Sequence, residues 1–93
     1  MKRLFVYFIF STILFVSYAS TKPFTVVIDP GHGGKDPGAM GPNGREKDIN
    51  LNVSLKLGDL IKQNHPDVKV VFTRDVDKYV PLQDRSNIAN KAN

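Results

Sequence analysis

Residues 26–38 read VVIDPGHGGKDPG, an apolar run that stops in a loop rich in glycine and proline. A β-branched run of this kind predicts a buried strand, and Pro30 ends it because proline has no backbone N–H to donate. The glycines on both sides of His32 allow backbone conformations that other residues avoid. The sequence therefore predicts that His32 lies at the C-terminal end of a strand, at the sheet edge where open α/β folds bind ligands.

The composition is that of one globular domain. The 93 residues are 41% hydrophobic and 24% charged and include no cysteine, which excludes a disulfide scaffold and a thiolate metal site. The formal net charge of +4 falls to +2 when the N-terminal pair Lys2 and Arg3 is set aside. No polybasic patch remains, so the sequence predicts no nucleic-acid partner.

The N-terminus has the pattern of a signal peptide. The basic pair Lys2 and Arg3 precedes an almost entirely apolar run over residues 4–16, and Ala19 supplies a small residue where a signal peptidase cleaves. The run is shorter than the roughly 20 apolar residues that span a bilayer, which argues against the alternative of a retained membrane anchor. We therefore predict that residues 1–19 form a signal peptide and that the protein is exported.

The remaining residues, 20–93, predict alternating strands and helices. Apolar runs at 24–28 and 68–73 predict two strands, and helical patterns predict helices at 46–64 and 82–93. Strand, helix and strand in this order form a βαβ unit, which favours parallel pairing. The predicted fold class is α/β, the N-terminal βαβα portion of a twisted, mostly parallel sheet flanked by helices. Two strands cannot close such a sheet, so we expect it to be incomplete at its C-terminal end.

The first predicted helix is apolar on more than one side. One side carries four of its apolar residues: Ile49, Val53, Leu57 and Leu60. This pattern predicts a helix that is more buried than a surface helix, or one that packs on a partner as well as on the sheet. Gly58 weakens the helix slightly and permits a close approach by a neighbour.

The loop over residues 29–45 holds six of the seven glycines, more than a simple strand-to-helix connection needs. It is not a phosphate-binding P-loop, because Gly34 and Lys35 are followed by Asp36 and the required first glycine is missing. A dinucleotide-binding fingerprint fails as well, because Asp36 would repel a pyrophosphate. A purely structural turn would explain the glycines but neither His32 nor the acid that follows it.

A metal site explains both features. Catalytic zinc commonly takes two histidines and one glutamate and leaves a fourth position for water. The loop can fold back and bring His32, at a strand end, to Glu46, at a helix start. Their separation of 14 residues is not diagnostic, because any long loop could join two such residues.

Three other side chains have plainer interpretations. His65 cannot be a further ligand, because a helix of 19 residues places it roughly 28 Å from Glu46; we expect it at the C-terminal end of the helix, where the dipole favours it. Tyr79 either shapes a substrate surface or packs as a partly buried loop aromatic. Arg85 is expected to be structural.

Two acids within the loop and one arginine after the second strand are further candidates. Arg74 ends the second strand at the same sheet edge as His32, so it either lines the cleft or pairs with an acid such as Asp75 or Asp29. Asp29 and Asp36 are expected to accept hydrogen bonds from loop N–H groups rather than to bind metal.

Several separate motifs occur in the order of one known family. The motifs are VIDPGHGG at 27–34, DPGA at 36–39, Gly41, Gly44, EKD at 46–48, VFTR at 71–74, Leu82, Arg85 and AN at 89–90. Together they resemble the zinc-dependent N-acetylmuramoyl-L-alanine amidases of bacterial cell-wall turnover, over residues 24–93.

The resemblance implies that His32 and Glu46 are two zinc ligands. From their positions at the same sheet edge, Asp29 and Arg74 are predicted to bind substrate or to support the ligands. The resemblance also implies zinc as cofactor, peptidoglycan as partner, hydrolysis of the amide between N-acetylmuramic acid and L-Ala, and a location in the periplasm or the extracellular cell-wall space. In the family a second histidine ligand follows the next strand and a glutamate general base lies near the C-terminus. Both are expected beyond Asn93, so residues 20–93 would be the N-terminal part of the catalytic domain and inactive alone.

Two alternatives stay open. A non-catalytic peptidoglycan-binding or regulatory module could keep this fold and lose the chemistry, and a different metal hydrolase could carry the same loop. Residues that follow Asn93 distinguish the first alternative from the enzyme, because a strand ending in histidine and a late glutamate support catalysis.

Overall fold

Two parallel strands and two helices form the frame of the chain. The computed structural model describes residues 22–92, so the predicted signal peptide, residues 1–19, lies outside the described residues. The elements in chain order are β1 (Thr25–Ile28), β2 (Met40–Gly41), β3 (Gly44–Arg45), α1 (Glu46–Asn64), β4 (Lys69–Phe72) and α2 (Leu82–Lys91). Within residues 22–92, no helix combines the length and the apolar character needed to cross a membrane.

The predicted βαβ unit is confirmed. Strands β1 and β4 pair in parallel with Ile28 opposite Phe72, and α1 connects them. The ladder continues past the strand ends, because the N–H of Thr73 donates to the carbonyl of Ile28 at 3.0 Å. Parallel strands bring their C-terminal ends to one sheet edge, so the segments that follow β1 and β4 begin side by side.

A short antiparallel hairpin lies inside the glycine-rich loop, where the sequence predicted only loop. Its two strands pair Met40 with Arg45 and Gly41 with Gly44. Two-residue strands are too short to show the alternating pattern by which strands are recognised. The N–H of Glu46 then donates to the carbonyl of Ala39 at 2.8 Å, so the hairpin leads directly into the first turn of α1.

Helix α1 begins at Glu46 and ends at Asn64, as predicted. Glu46 and Asp48 lie in its first turn and Lys62 in its last, an arrangement that the helix dipole favours. The N–H of His65 donates to the carbonyl of Ile61 at 2.7 Å. His65 therefore closes the helix at the end opposite to Glu46.

One side of α1 faces the sheet and the other is uncovered. Gly58 is buried against Phe72, so the expected close approach is confirmed. The four apolar residues on the other side remain 46–63% exposed: Ile49, Val53, Leu57 and Leu60. Nothing among residues 22–92 packs on this side, so the first alternative, a more buried helix, is wrong for it, and the second, packing on a partner, stays a prediction.

Helix α2 begins after Pro81, as predicted, and ends at Lys91 rather than at residue 93, which is not described. Its apolar residues do not form a buried stripe, since Leu82 is 83% exposed. Arg85 is the buried residue of α2. The helix is therefore anchored by a polar side chain.

The interior of the described part contains several polar side chains. Its buried hydrophobic residues are Ile28 and Val80, whereas its buried polar or charged residues are Lys47, Thr73, Arg74 and Arg85. Lysine and arginine are almost never fully buried unless they are paired. Each of the four has at least one hydrogen-bond partner in the glycine-rich loop.

Replacing Gly58 with Ala is expected to destabilise the chain by about 1–3 kcal/mol. An added Cβ would overlap the ring of Phe72, and this overlap outweighs the gain of about 1 kcal/mol in helix propensity. Urea unfolding followed by circular dichroism measures the change. Gly41→Ala is the matched control, because a Cβ at Gly41 meets no atom within 4 Å; an equal loss in both variants would contradict the packing argument.

Candidate metal centre

His32 has a strained backbone. Its φ is 63°, in the left-handed region that residues other than glycine seldom adopt. Two backbone hydrogen bonds between Gly33 and Asp36, of 2.8 and 3.0 Å, close the turn that follows it. Such a conformation costs about 1–2 kcal/mol and persists where its surroundings enforce it, often at functional sites.

The imidazole of His32 lies between two carboxylates. Its Nε2 atom is 2.5 Å from Oε1 of Glu46, and its Nδ1 atom is 2.8 Å from Oδ2 of Asp36. All three side chains are partly accessible, with exposed fractions of 34–43%. The structure thus brings together the two residues that the sequence suggested as metal ligands, and it adds Asp36 on the opposite side of the ring.

Gly38 makes room for this convergence. Its φ is 64°, and a Cβ at this position would lie 2.8 Å from Cδ2 of His32 and 2.9 Å from Cβ of Glu46. Both distances are shorter than a carbon contact allows. Any larger residue at position 38 would push the imidazole and the carboxylate apart.

The two carboxylates favour the charged form of the ring. The hydrogen bond to Asp36 raises the pKa of His32 above 6.5, and the charges of Asp36 and Glu46 add to this effect. Reciprocally, the hydrogen bond with His32 lowers the pKa of Asp36, as does the bond from the Gly38 N–H. The two carboxylates therefore favour a positive charge at this position.

Two buried arginines hold the loop that carries His32. Arg74, which is 2% exposed, donates to the carbonyls of Pro30, Gly31, Lys47 and Val76 at 2.9–3.1 Å. Arg85, which is 7% exposed, donates to the carbonyls of Pro30, His32 and Val80 at 2.7–2.9 Å. The two guanidinium groups meet at Pro30 and fix the backbone on both sides of it.

A buried lysine holds the next part of the loop. Nζ of Lys47 donates to the carbonyl of Gly34 at 3.0 Å and to Oδ2 of Asp77 at 2.8 Å. Oδ1 of Asp77 in turn accepts the Gly34 N–H at 2.7 Å. These two bonds lower the pKa of the Asp77 carboxyl and tie the segment after β4 to the loop.

Asp29 and Arg74, the weaker candidates from the sequence, both support the loop. Asp29 accepts hydrogen bonds from Thr73 at 2.7 Å and from Arg85 at 2.6 Å rather than from loop N–H groups. Partial burial tends to raise the pKa of Asp29, but these two bonds outweigh it and lower the pKa. Arg74 pairs with carbonyl oxygens and not with Asp75 or Asp29, so a direct role of either residue with substrate stays a prediction.

Asp36 and Arg85 have the roles that the sequence suggested. Oδ1 of Asp36 accepts the Gly38 N–H at 3.1 Å, and Arg85 is structural. Sequence reasoning missed Lys47, Asp77 and Asn50, whose amide donates to the Gly31 carbonyl at 3.2 Å. A buried lysine on a helix has no distinguishing spacing, and its partner Asp77 is 30 residues away.

Two open clefts adjoin the candidate ligands, one lined by His32 and the other by Glu46. The first, of about 450 Å³, is lined by Asp29, Gly31, His32, Asp36, Tyr79, Val80, Leu82 and Arg85. The second, of about 420 Å³, is lined by the hairpin together with Glu46 and Ile49. Within residues 22–92, no group of three or more His, Cys, Asp or Glu side chains is arranged to hold a metal ion.

Comparison with known proteins identifies the family. The sequence model of the N-acetylmuramoyl-L-alanine amidases matches residues 26–93. The chain is 43% identical over 65 residues to the sporulation-specific N-acetylmuramoyl-L-alanine amidase of Bacillus subtilis, covering 70% of this chain and 26% of that protein. It is 42% identical over 94 residues to the probable N-acetylmuramoyl-L-alanine amidase AmiB of Haemophilus influenzae, covering 98% of this chain and 21% of that protein.

Solved structures agree with the sequence comparison. The catalytic domain of CwlV, an N-acetylmuramoyl-L-alanine amidase from Bacillus (Paenibacillus) polymyxa, superimposes with a TM-score of 0.69 at 41% identity, covering 73% of this chain and 38% of that one. An N-acetylmuramoyl-L-alanine amidase from Clostridium difficile 630 gives a TM-score of 0.71 at 41% identity, covering 76% and 39%. The α/β fold class is confirmed. The chain belongs to the N-acetylmuramoyl-L-alanine amidase family and spans about a quarter of the length of these curated relatives.

Replacing Arg74 with Lys is expected to cost about 1.5–3 kcal/mol for each loop carbonyl that loses its charged donor. A lysine has one nitrogen and cannot reproduce the fork that contacts four carbonyls. Urea unfolding measures the loss. Arg45→Lys is the control, because Arg45 forms an exposed ion pair with Asp48 and should change stability by less than about 1 kcal/mol. Equal effects would refute the role of the buried fork.

Acid is expected to destabilise the chain through Asp29 and Asp77. Their pKa values are lowered on folding from 3.8, so their contribution to stability is present above that pH and is lost as the pH falls through the folded values. The free energy of unfolding should therefore drop as the pH falls from about 5 to about 2. The drop should be smaller in the double variant Asp29→Asn/Asp77→Asn. Asp59→Asn, at an exposed position of α1, should keep the full drop; the same behaviour in all three chains would contradict this assignment.

Proposed function

We propose that this chain is part of a zinc-dependent N-acetylmuramoyl-L-alanine amidase, which hydrolyses the amide between N-acetylmuramic acid and L-Ala of peptidoglycan. The observation that carries the proposal is the convergence of His32 Nε2 and Glu46 Oε1, 2.5 Å apart, in a chain that belongs to this family. Buried cations hold the backbone at His32 and at Gly34, and the hairpin leads directly to Glu46. The site is therefore built to present these two atoms together.

The donor set suits zinc. Imidazole nitrogen and carboxylate oxygen are ligands that zinc takes in catalytic sites, which bind the metal through three protein side chains and leave one position open. Both donors are about one-third exposed, so the ion and a substrate can reach them. The chemistry that a bound zinc ion supplies is a lower pKa of water and polarisation of the amide carbonyl.

The surroundings of the pair suit a substrate with two long arms. The scissile amide of peptidoglycan has a glycan on one side and a peptide on the other, so a site for it must be open in two directions. Two clefts are available at the pair: one of about 450 Å³ lined by His32 and one of about 420 Å³ lined by Glu46. In this arrangement Asp29 and Arg74 act by holding the loop, and the clefts receive the substrate.

We further propose that residues 1–93 do not hydrolyse peptidoglycan alone. His32 and Glu46 are two ligands of a set of three, and the resemblance assigns the third ligand and the general base to positions that follow Asn93. Loss of a general base alone reduces rates by about 10²–10⁴. Because peptidoglycan lies outside the cytoplasm, the signal peptide proposed for residues 1–19 agrees with this substrate.

Zinc binding tests the ligand assignment. We expect isothermal titration calorimetry to detect zinc binding by the chain and to detect none in His32→Ala, because the imidazole is one of only two donors. The matched control is His65→Ala, the second of the two histidines, which lies exposed beyond the far end of α1 and should bind zinc like the wild type. Loss of binding in His65→Ala with binding retained in His32→Ala would refute the assignment.

Activity tests the reaction. Residues 26–93 can replace the corresponding segment of the CwlV catalytic domain, which is 41% identical. We expect this chimera to release peptides from peptidoglycan in the presence of zinc, and we expect this release to cease when a chelator removes the metal. Residues 1–93 alone should release no peptide. A folded chimera that binds peptidoglycan without releasing peptides would favour the non-catalytic binding module instead.

A further inference from the structure

Asp36 approaches the imidazole of His32 from the side that faces away from Glu46. Its Oδ2 atom is 2.8 Å from Nδ1, whereas Glu46 contacts Nε2. The two nitrogens of an imidazole point outward in divergent directions, so a carboxylate at Nδ1 cannot also reach an ion held at Nε2. Asp36 is therefore not a candidate for the missing third ligand.

The carboxylate of Asp36 is itself fixed. Its second oxygen, Oδ1, accepts the Gly38 N–H at 3.1 Å. Its backbone exchanges two hydrogen bonds with Gly33, of 2.8 and 3.0 Å. Both carboxylate oxygens and both backbone polar groups of Asp36 are thus engaged by partners within the seven residues 32–38, so the carboxylate is held in place without a metal.

The orientation of His32 is fixed from its own backbone as well. Its carbonyl accepts a hydrogen bond from Nη2 of Arg85 at 2.9 Å, and its φ of 63° directs the side chain differently from an ordinary extended residue. Both the backbone of His32 and the carboxylate of Asp36 are therefore held in place by hydrogen bonds that do not involve a metal.

A neutral imidazole carries one proton, on Nδ1 or on Nε2, and only the other nitrogen can bind a metal. A carboxylate accepts hydrogen bonds and does not donate them. We propose that Asp36 is a positioning residue, which holds the His32 proton on Nδ1 and thereby keeps the Nε2 lone pair directed at the metal position beside Glu46. This inference rests on the proposed zinc site, and it assigns Asp36 a role distinct from that of a ligand.

The proton position can be measured without metal or activity. Without metal, Glu46 faces Nε2 as Asp36 faces Nδ1, so the test uses Glu46→Ala, in which Asp36 is the carboxylate left at the ring. At a pH above the pKa of His32, ¹⁵N NMR of the ring nitrogens in metal-free Glu46→Ala should place the proton on Nδ1. In Glu46→Ala/Asp36→Asn the new amide can donate to Nδ1 as well as accept from it, so the proportion with the proton on Nε2 should rise. The unfolding free energy of each variant shows whether the loop is still folded, and a ring whose proton stays on Nδ1 in a folded Glu46→Ala/Asp36→Asn chain would overturn the proposal.

Zinc affinity is the second readout. Replacing a partner that orients a histidine ligand typically weakens metal binding by 10–100-fold, and we expect a loss in this range for Asp36→Asn. The matched control is Asp48→Asn, which removes the same charge from an exposed carboxylate paired with Arg45 and should bind zinc as the wild type does. A wild-type chain that bound no zinc would contradict the proposed zinc site, and with it the proposed function. Equal zinc affinity in Asp36→Asn and the wild type, or a proton on Nε2 in metal-free Glu46→Ala, would overturn only the role of Asp36.

Discussion

The described part of the chain depends on hydrogen bonds from buried cations to the carbonyls of Pro30–Gly34. Arg74, Arg85 and Lys47, with the amide of Asn50, satisfy four of these five carbonyls, and the Asp36 N–H satisfies that of Gly33. A buried backbone acceptor without a partner costs about 1–3 kcal/mol, so five in succession could not be left open. Glycine and proline let the backbone bend into this shape, but the cations hold it there.

This constraint explains why an unfavourable conformation at His32 persists. The loop around His32 is hydrogen-bonded to three other parts of the fold. Arg74 follows β4, Arg85 lies in α2 and Lys47 lies in α1. Relaxing His32 to an ordinary φ would disturb bonds to all three. The cost of the strain is about 1–2 kcal/mol, less than the loss of two or three charge-assisted hydrogen bonds at about 1.5–3 kcal/mol each. The packed elements can therefore impose a side-chain direction that the local sequence would avoid.

The frame of the fold could be predicted from the sequence, because it depends on patterns that repeat along the chain. The apolar runs identified β1 and β4, and the acids near Glu46 marked the first residue of α1. The hairpin was missed because its strands are two residues long. The pairing of His32 with Glu46 was suggested by residue type and then by family resemblance. The roles of Lys47 and Asp77 could not be predicted, because they depend on which positions folding brings together and not on any periodicity.

The candidate metal centre forms from residues that are close in sequence but is held by residues that are far away. His32 and Glu46 are close in sequence, and a flexible loop could bring them together transiently at little entropic cost. Holding them together requires Arg74 and Arg85, which are 43 and 53 residues away from the carbonyls of Gly31 and His32 that they bind. These bonds exist only after β1 has paired with β4 and α2 has docked on the loop. The two candidate ligands are thus close in sequence, but the bonds that keep them in place come from distant parts of the chain. A stable pair at His32 and Glu46 therefore indicates that the parallel sheet has formed.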